Sequence, residues 1–149
     1  MKKSLFIVVM ILVSSFVQAQ ILEPVTWSTS VTKISETEYE LVATAAVDDK
    51  WHLYSQSVPE DGPVPTSFTF KSSGDYLKKG NTKEDKGHTV NDPVFEMEIK
   101  YFEHKATFKQ RIKLKSKVPF KVEATVEFMV CDDSRCLPPT EVDLVFDVK

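Results

Sequence analysis

Polar and apolar residues alternate with a period of two along most of the chain. Such runs, rich in β-branched and aromatic side chains and separated by polar turns, are typical of strands with one buried face. No long window has the helical spacing of apolar residues. The pattern predicts an all-β fold, an immunoglobulin-like antiparallel β-sandwich of about seven to nine strands. The predicted strands cover residues 26–34, 38–45, 66–70, 95–101, 106–112, 122–130 and 141–148.

Two segments interrupt the alternation. Residues 57–65 contain three prolines and one glycine, which predicts an ordered but irregular connection. Residues 72–92 are polar, with three glycines and four lysines. For these residues we expect one short strand at 76–77 and mobile loop elsewhere.

The first residues have the pattern of an export signal. Lys2 and Lys3 precede an apolar run over residues 5–13, and small residues follow at 17–19. The run is too short to span a bilayer, which takes roughly twenty residues. We therefore expect residues 1–19 to be a signal peptide cleaved after Ala19, and residues 20–149 to form a single exported domain that does not itself span the membrane.

The charge of the expected mature chain is mildly acidic. Loss of Lys2 and Lys3 leaves 17 basic against 22 acidic residues, a net charge of −5. This balance argues against nucleic acid and against an anionic membrane surface as partners.

The two cysteines of the chain, Cys131 and Cys136, lie four residues apart. An exported chain with one close pair is expected to form a disulfide. The flanking strands predict a hairpin with residues 132–135 at its exposed tip, where both sulfurs could be reached by a partner's thiolate. A ring of about six residues stabilises a fold by only about 2 kcal/mol in the chain-entropy model. On spacing alone, a redox centre and a small structural staple both remain open.

Charges beside the cysteines differ. Asp132 and Asp133 disfavour a thiolate at Cys131, whereas Arg135 favours one at Cys136. The two aspartates are also common turn formers at a hairpin tip.

Other residue types point to packing. His52, His88 and His104 match no compact metal-ligand motif, so we expect packed or surface histidines and no metal or cofactor. Seven aromatic residues are interpreted as core rings of the sandwich, namely Trp27, Trp51, Tyr54, Phe68, Phe70, Phe108 and Phe128. For Phe95, core and functional roles are both open.

Residues 128–140, Phe-Met-Val-Cys-Asp-Asp-Ser-Arg-Cys-Leu-Pro-Pro-Thr, resemble the active-site segment of a known family. That family is the N-terminal periplasmic domain of the thiol:disulfide interchange protein DsbD, also called the disulfide bond corrector domain. Residues 51–55, and 92–95 followed by Tyr101, are similar to its early aromatic segment and its cap region. The resemblance implies an immunoglobulin-like periplasmic domain that takes electrons from a membrane-embedded donor. It would pass them to thioredoxin-fold proteins such as disulfide isomerases.

The resemblance also implies roles for individual residues. Cys131 and Cys136 would be the exchanging pair, with Cys136 forming the mixed disulfide, and Tyr54 would be an aromatic neighbour. The cap shielding the pair would comprise residues 92–95, including Asp92, Val94 and Phe95. The chain departs from the best-known enterobacterial members in its cysteine spacing, four residues rather than five. It also has Pro93-Val94 where they have an acidic residue and a phenylalanine.

Three hypotheses follow. The first is a periplasmic thiol:disulfide exchange module, a component of an electron relay of the protein-disulfide reductase type that receives its electrons from a separate membrane reductase. The second is a non-catalytic immunoglobulin-like binding or structural module with a stapling disulfide. The third is a copper or zinc carrier that uses both thiolates and His52.

Overall fold

The computed structural model describes residues 22–149, all of them in strands, turns and loops. The expected signal peptide and its cleavage site after Ala19 lie outside the described residues. No helix occurs in residues 22–149, so this part of the chain has none that could cross a membrane. The strands are β1 Val25–Lys33, β2 Glu38–Val47, β3 His52–Tyr54, β4 Ser67–Phe70, β5 Tyr76–Glu84, β6 His88–Asp92, β7 Met97–Phe102, β8 Lys105–Leu114, β9 Phe120–Phe128, β10 Val130–Cys131 and β11 Thr140–Val148.

The strands form three antiparallel sheets. The first sheet has the order β1-β2-β8-β5, the second β10-β3-β7-β6 and the third β11-β9-β4. A hydrogen bond of 2.7 Å from Thr29 Oγ1 on β1 to Val145 O on β11 joins the first sheet to the third. The predicted all-β, immunoglobulin-like antiparallel architecture is confirmed.

The main core contains the alternate, inward-facing residues of these strands. Along β2, Leu41, Ala43 and Ala45 are buried while the residues between them are less so. The Trp27 ring lies within 5.9 Å, between ring centroids, of three aromatic rings, those of Phe68, Phe108 and Phe128. Aromatic burial and contacts of this kind dominate core energetics.

The expectation of a mobile loop over residues 72–92 is wrong. These residues form β5 and β6, and β5 pairs with β8 around a register shift between Lys79 and Lys83. The buried side chain of Gln110 on β8 donates to Lys79 O and Gly80 O and accepts from Thr82 Oγ1. The buried amide of Gln110 therefore provides hydrogen bonds to backbone carbonyls at the bulge in β5. A pattern of hydrophobic residues cannot reveal such a contact.

The second sheet has two buried faces. Leu53, Val130 and Phe102 are neighbours across β3, β10 and β7 and belong to the main core. The opposite face has a separate cluster, which we call the site cluster, with four fully or nearly buried members. These are Tyr54, Ile99, Tyr101 and Cys131.

Candidate active site

Cys131 and Cys136 form a disulfide at the end of the β9–β11 hairpin. Their Cα atoms are 4.0 Å apart, and the two residues also form an isolated antiparallel bridge. Backbone bonds of 2.9 Å from Leu137 N to Val130 O and from Asp132 N to Arg135 O close the hairpin on either side of this bridge. Residues 132–135 therefore form the tip, as the sequence predicts.

The two cysteines differ in exposure. Cys131 is fully buried at 0% exposure because β10 pairs with β3 and places it opposite His52. Cys136 is only partly buried. The expectation that both sulfurs are reachable at an exposed tip is therefore wrong for Cys131, and only Cys136 keeps part of its surface in solvent.

A buried hydrogen bond connects two of the residues singled out by the resemblance. Tyr54 Oη donates to Asp92 Oδ2 at 2.8 Å, and both residues are at most 1% exposed. Burial, followed by the hydrogen bond to Asp92, raises the pKa of Tyr54 well above its usual value of 10.0. The hydroxyl is therefore a neutral donor at physiological pH.

Asp92 also shapes the turn between β6 and β7, residues 93–96, which we call the cap turn. Its Oδ1 accepts hydrogen bonds from the backbone amides of Val94 at 2.8 Å and Phe95 at 3.1 Å. Glu96 N donates to Asp92 O, and Glu96 adopts a positive φ of 54° where the turn enters β7. One buried carboxylate thus holds both the cap turn and Tyr54.

The cap turn presents its side chains in opposite ways. The Phe95 ring lies edge-on to Tyr54, 5.9 Å between centroids at 89°, and packs against the site cluster. Val94 is exposed at 38%. Phe95 therefore contributes to the cluster around Cys131 instead of the main core, and it precedes β7 instead of beginning that strand as the alternation indicates.

His52 and Tyr101 pack face to face beside the disulfide. Their ring centroids are 4.3 Å apart at 10°, and His52 Nε2 is 3.5 Å from Glu103 Oε1. Burial, and then the negative charges of Glu103, Asp133 and Asp92, raise the pKa of Tyr101. The environment therefore also keeps this second hydroxyl protonated.

The hairpin tip is ordered by Asp132. Its Oδ1 accepts from Ser134 N and Arg135 N, each at 2.9 Å, and its Oδ2 accepts from Arg135 Nε at 3.3 Å. These bonds, with the Ser134 amide as the largest cause, lower the pKa of Asp132 to about 2. The guanidinium of Arg135 also lies 5.8 Å above the Trp51 ring. The positive charge expected to favour a Cys136 thiolate is thus shared with a neighbouring carboxylate.

Several residues around the site are not predicted from the sequence to lie together. Met97, Met129 and Val58 pack against the site cluster, although they come from three distant segments. Glu84 on β5 accepts hydrogen bonds from Ser55 and Gln56, the two residues that follow Tyr54 at the end of β3. Only the sheet order brings these segments together, so periodicity and spacing could not have identified them.

A disulfide can undergo two-electron thiol–disulfide exchange, and one of these two cysteines is partly exposed. Of the two cysteines only Cys136 is partly exposed, whereas Cys131 lies inside the apolar site cluster. The ordered tip holds the two cysteines opposite each other across the hairpin, which keeps their sulfurs within bonding distance.

The fold is similar to that of a solved periplasmic domain. The N-terminal periplasmic domain of ScsB from Proteus mirabilis matches with a TM-score of 0.58 and 14% sequence identity, over 85% of this chain and 49% of that chain. The chain thus spans about half the length of that relative. The reduced N-terminal domain of DsbD from Neisseria meningitidis matches with a TM-score of 0.49 and 15% identity, over 80% of this chain and 82% of that chain.

Sequence comparison gives the family. Among curated proteins none matches the chain. The family model described as "Thiol:disulfide interchange protein DsbD, N-terminal" matches residues 18–147, which include both cysteines, the cap turn, strands β1 to β10 and all but the last residue of β11. The chain therefore belongs to the family of DsbD N-terminal domains.

Proposed function

We propose that this chain is a periplasmic electron-relay module that exchanges disulfides through Cys131 and Cys136. It receives two electrons from a membrane-embedded dithiol donor and delivers them to thioredoxin-fold proteins, such as disulfide isomerases. The observation that carries the proposal is the disulfide itself, between one buried and one partly exposed cysteine, in a domain of this family.

Reduction begins at the accessible sulfur. A donor thiolate attacks Cys136, forms a mixed disulfide and expels Cys131 as a thiolate, which takes up a proton. The donor's second thiolate then attacks the donor's first sulfur, which is bonded to Cys136 in the mixed disulfide, and releases Cys136. The donor leaves as a disulfide, and this chain holds two thiols.

Delivery reverses these roles. The Cys136 thiolate attacks the partner's disulfide and releases one partner thiolate. Cys131 then attacks Cys136, which re-forms the internal disulfide and releases the partner as a dithiol. Both electrons leave with the partner, and no cofactor takes part.

Single-cysteine variants test the assigned roles. Cys131→Ala keeps the attacking sulfur and removes the resolving one, so it should accumulate a disulfide-linked adduct with an oxidised thioredoxin-fold protein on non-reducing gels. Cys136→Ala, the matched control, should form little adduct because its remaining sulfur is buried. Adducts with Cys136→Ala alone would reverse the assignment, and adducts with neither variant would refute the relay.

A non-catalytic module with a stapling disulfide is the second candidate, favoured by the complete burial of Cys131. The reduction potential separates the two functions. Structural disulfides lie below about −300 mV, whereas exchange-active ones lie at roughly −270 to −120 mV. Equilibration of the oxidised chain against graded thiol–disulfide buffers should give a value in the upper range, and a value below it would favour the staple.

A further inference from the structure

A second segment covers the site cluster besides the cap turn. Residues 56–65, which we call the proline loop, place Val58 against the cluster that contains Cys131. Val64 N donates to Met129 Sδ at 3.4 Å, and a Cβ added to Gly62 would lie 3.6 Å from Met97 Sδ. The loop thus contacts the site cluster or its surrounding methionines at two points, and Gly62 lies close to a third.

The carboxylate of Glu84 holds the start of this loop. Its Oε1 accepts from Ser55 Oγ at 2.6 Å, and its Oε2 accepts from Gln56 N at 2.8 Å. Ser55 is fully buried, and its amide extends the β3–β7 pairing by donating to Lys100 O at 3.0 Å. The two oxygens of one carboxylate therefore hold the two residues immediately after Tyr54, one through a side chain and one through a backbone amide.

The two ends of the loop are also joined to each other. Thr66 N donates to Ser55 O at 3.1 Å, and Thr66 Oγ1 donates to Tyr54 O at 2.6 Å. Because Thr66 is bonded to Tyr54 and Ser55, the hydrogen bond of Glu84 to Ser55 helps to position the end of the loop as well as its start.

Glu84 is well suited to this role because it is charged, shielded and attached to another sheet. Its side chain is 14% exposed and accepts a third bond, of 2.8 Å, from Lys100 Nζ. Charge-assisted bonds in such surroundings are stronger than neutral ones. Since Glu84 ends β5 in the first sheet, it ties the loop to a strand outside the second sheet.

We infer that Glu84 is a positioning residue that holds the proline loop as a second wall of the partner-docking site. This inference rests on the proposed exchange function. Pro59 and Pro65 are exposed and lack amide donors, so the loop presents a fixed shape that resists strand pairing with a partner. A partner of the thioredoxin fold would then dock between this wall and the cap turn.

Two reductants of different size test the role of Glu84. Glu84→Gln weakens the hydrogen bonds of residue 84 to Ser55 and Gln56, so the proline loop can move. A small thiol then reaches the disulfide more easily, whereas a protein partner loses the preformed docking surface. We expect dithiothreitol to reduce the disulfide about threefold to tenfold faster than in wild type, and a reduced thioredoxin-fold protein to do so slower by a similar factor. The control Glu38→Gln removes a carboxylate of the first sheet that pairs with Lys79 at 2.6 Å, and it should leave both rates within about twofold.

Each result of this experiment is decisive. Opposite changes in the two rates support the positioning role, whereas rates equal to those of Glu38→Gln, or rates that rise together as in general loosening, overturn it. Should Glu84→Gln fail to fold, the same two rates are measured for Val58→Ala. This variant keeps the hydrogen bonds of Glu84 and removes the contact of the Val58 side chain with the site cluster. A wild-type disulfide that reacts with neither reductant overturns the proposed function itself, whereas unchanged rates in a reactive protein overturn this inference alone.

Discussion

At the residue scale, the site depends on one buried carboxylate and its donors. Asp92 is 1% exposed and accepts bonds from the Tyr54 hydroxyl and from two amides of the cap turn. A buried carboxylate is tolerated only when its oxygens are satisfied in this way. Tyr54 therefore contributes both to the stability of the domain and to the position of the cap turn.

Removal of the Tyr54 hydroxyl should be costly for stability. Tyr54→Phe leaves Asp92 Oδ2 without this donor, and an unsatisfied buried group costs about 1–3 kcal/mol, with charged groups at the upper end. Urea unfolding should show a loss of that size. Tyr39→Phe, at another buried tyrosine, removes a hydroxyl that satisfies no buried carboxylate within residues 22–149 and should cost less than about 1 kcal/mol. Equal losses in the two variants would contradict the importance of the bond.

The same bond has a consequence at alkaline pH. The pKa of Tyr54 is raised in the folded state, so its contribution to stability is complete below its unfolded value of 10.0 and is lost progressively as pH rises above it. The folded chain should therefore unfold more easily above about pH 10, and this part of the dependence should be absent in Tyr54→Phe. Parallel alkaline profiles for the two proteins would contradict the raised pKa.

At the element scale, β5 and β6 show where sequence patterns fail. The edge strand β5 is held by polar contacts, since Gln110 on the neighbouring β8 bonds its backbone carbonyls and Glu84 at its own end bonds the chain after β3. The strands predicted at 38–45 and 141–148 agree with β2 and β11 because hydrophobic burial alone specifies them. The polar pattern of residues 72–92 predicts a loop, because the side chains and strands that hold this segment lie far away in sequence.

The connection between β5 and β6 requires glycine at position 87. Gly87 has a φ of +60°, and an added Cβ would lie 2.8 Å from Lys100 Cε and 2.9 Å from Phe102 Cε1 and Tyr101 O. Gly87→Ala should therefore destabilise the domain by more than about 1 kcal/mol in urea unfolding. Gly74→Ala is the matched control, because its added Cβ meets nothing within 4 Å. A neutral effect at Gly87 would mean that the β5–β6 turn adjusts freely.

At the scale of the whole molecule, the second sheet couples the site to the core. One of its faces supplies Leu53, Val130 and Phe102 to the main core, and the other supplies Tyr54 and Cys131 to the site cluster. A core formed by long strands, independent of the disulfide, should keep its shape when the bond is reduced. Such a fold is suited to a disulfide that opens and closes repeatedly.

Reduction should therefore lower stability only modestly. The chain-entropy model assigns about 2 kcal/mol to a ring of this size. Urea unfolding of the oxidised chain and of the chain kept in dithiothreitol should differ by about that amount, and Cys131→Ser/Cys136→Ser should behave like the reduced protein. A loss above about 4 kcal/mol, or unfolding on reduction, would mean that the disulfide is a structural necessity.

The sequence by itself determined the β architecture, the close cysteine pair and its place at a hairpin end. These features depend on alternation and spacing over a few residues, which are local properties of the chain. The signal peptide and the exported single domain also follow from local patterns and remain predictions. The tertiary structure alone decided that Cys131 is buried, that Tyr54 bonds Asp92 and that Glu84 holds the proline loop. Each of these depends on residues brought together by the order of strands in the sheets, and pairwise contacts across such distances leave no periodic trace in the chain.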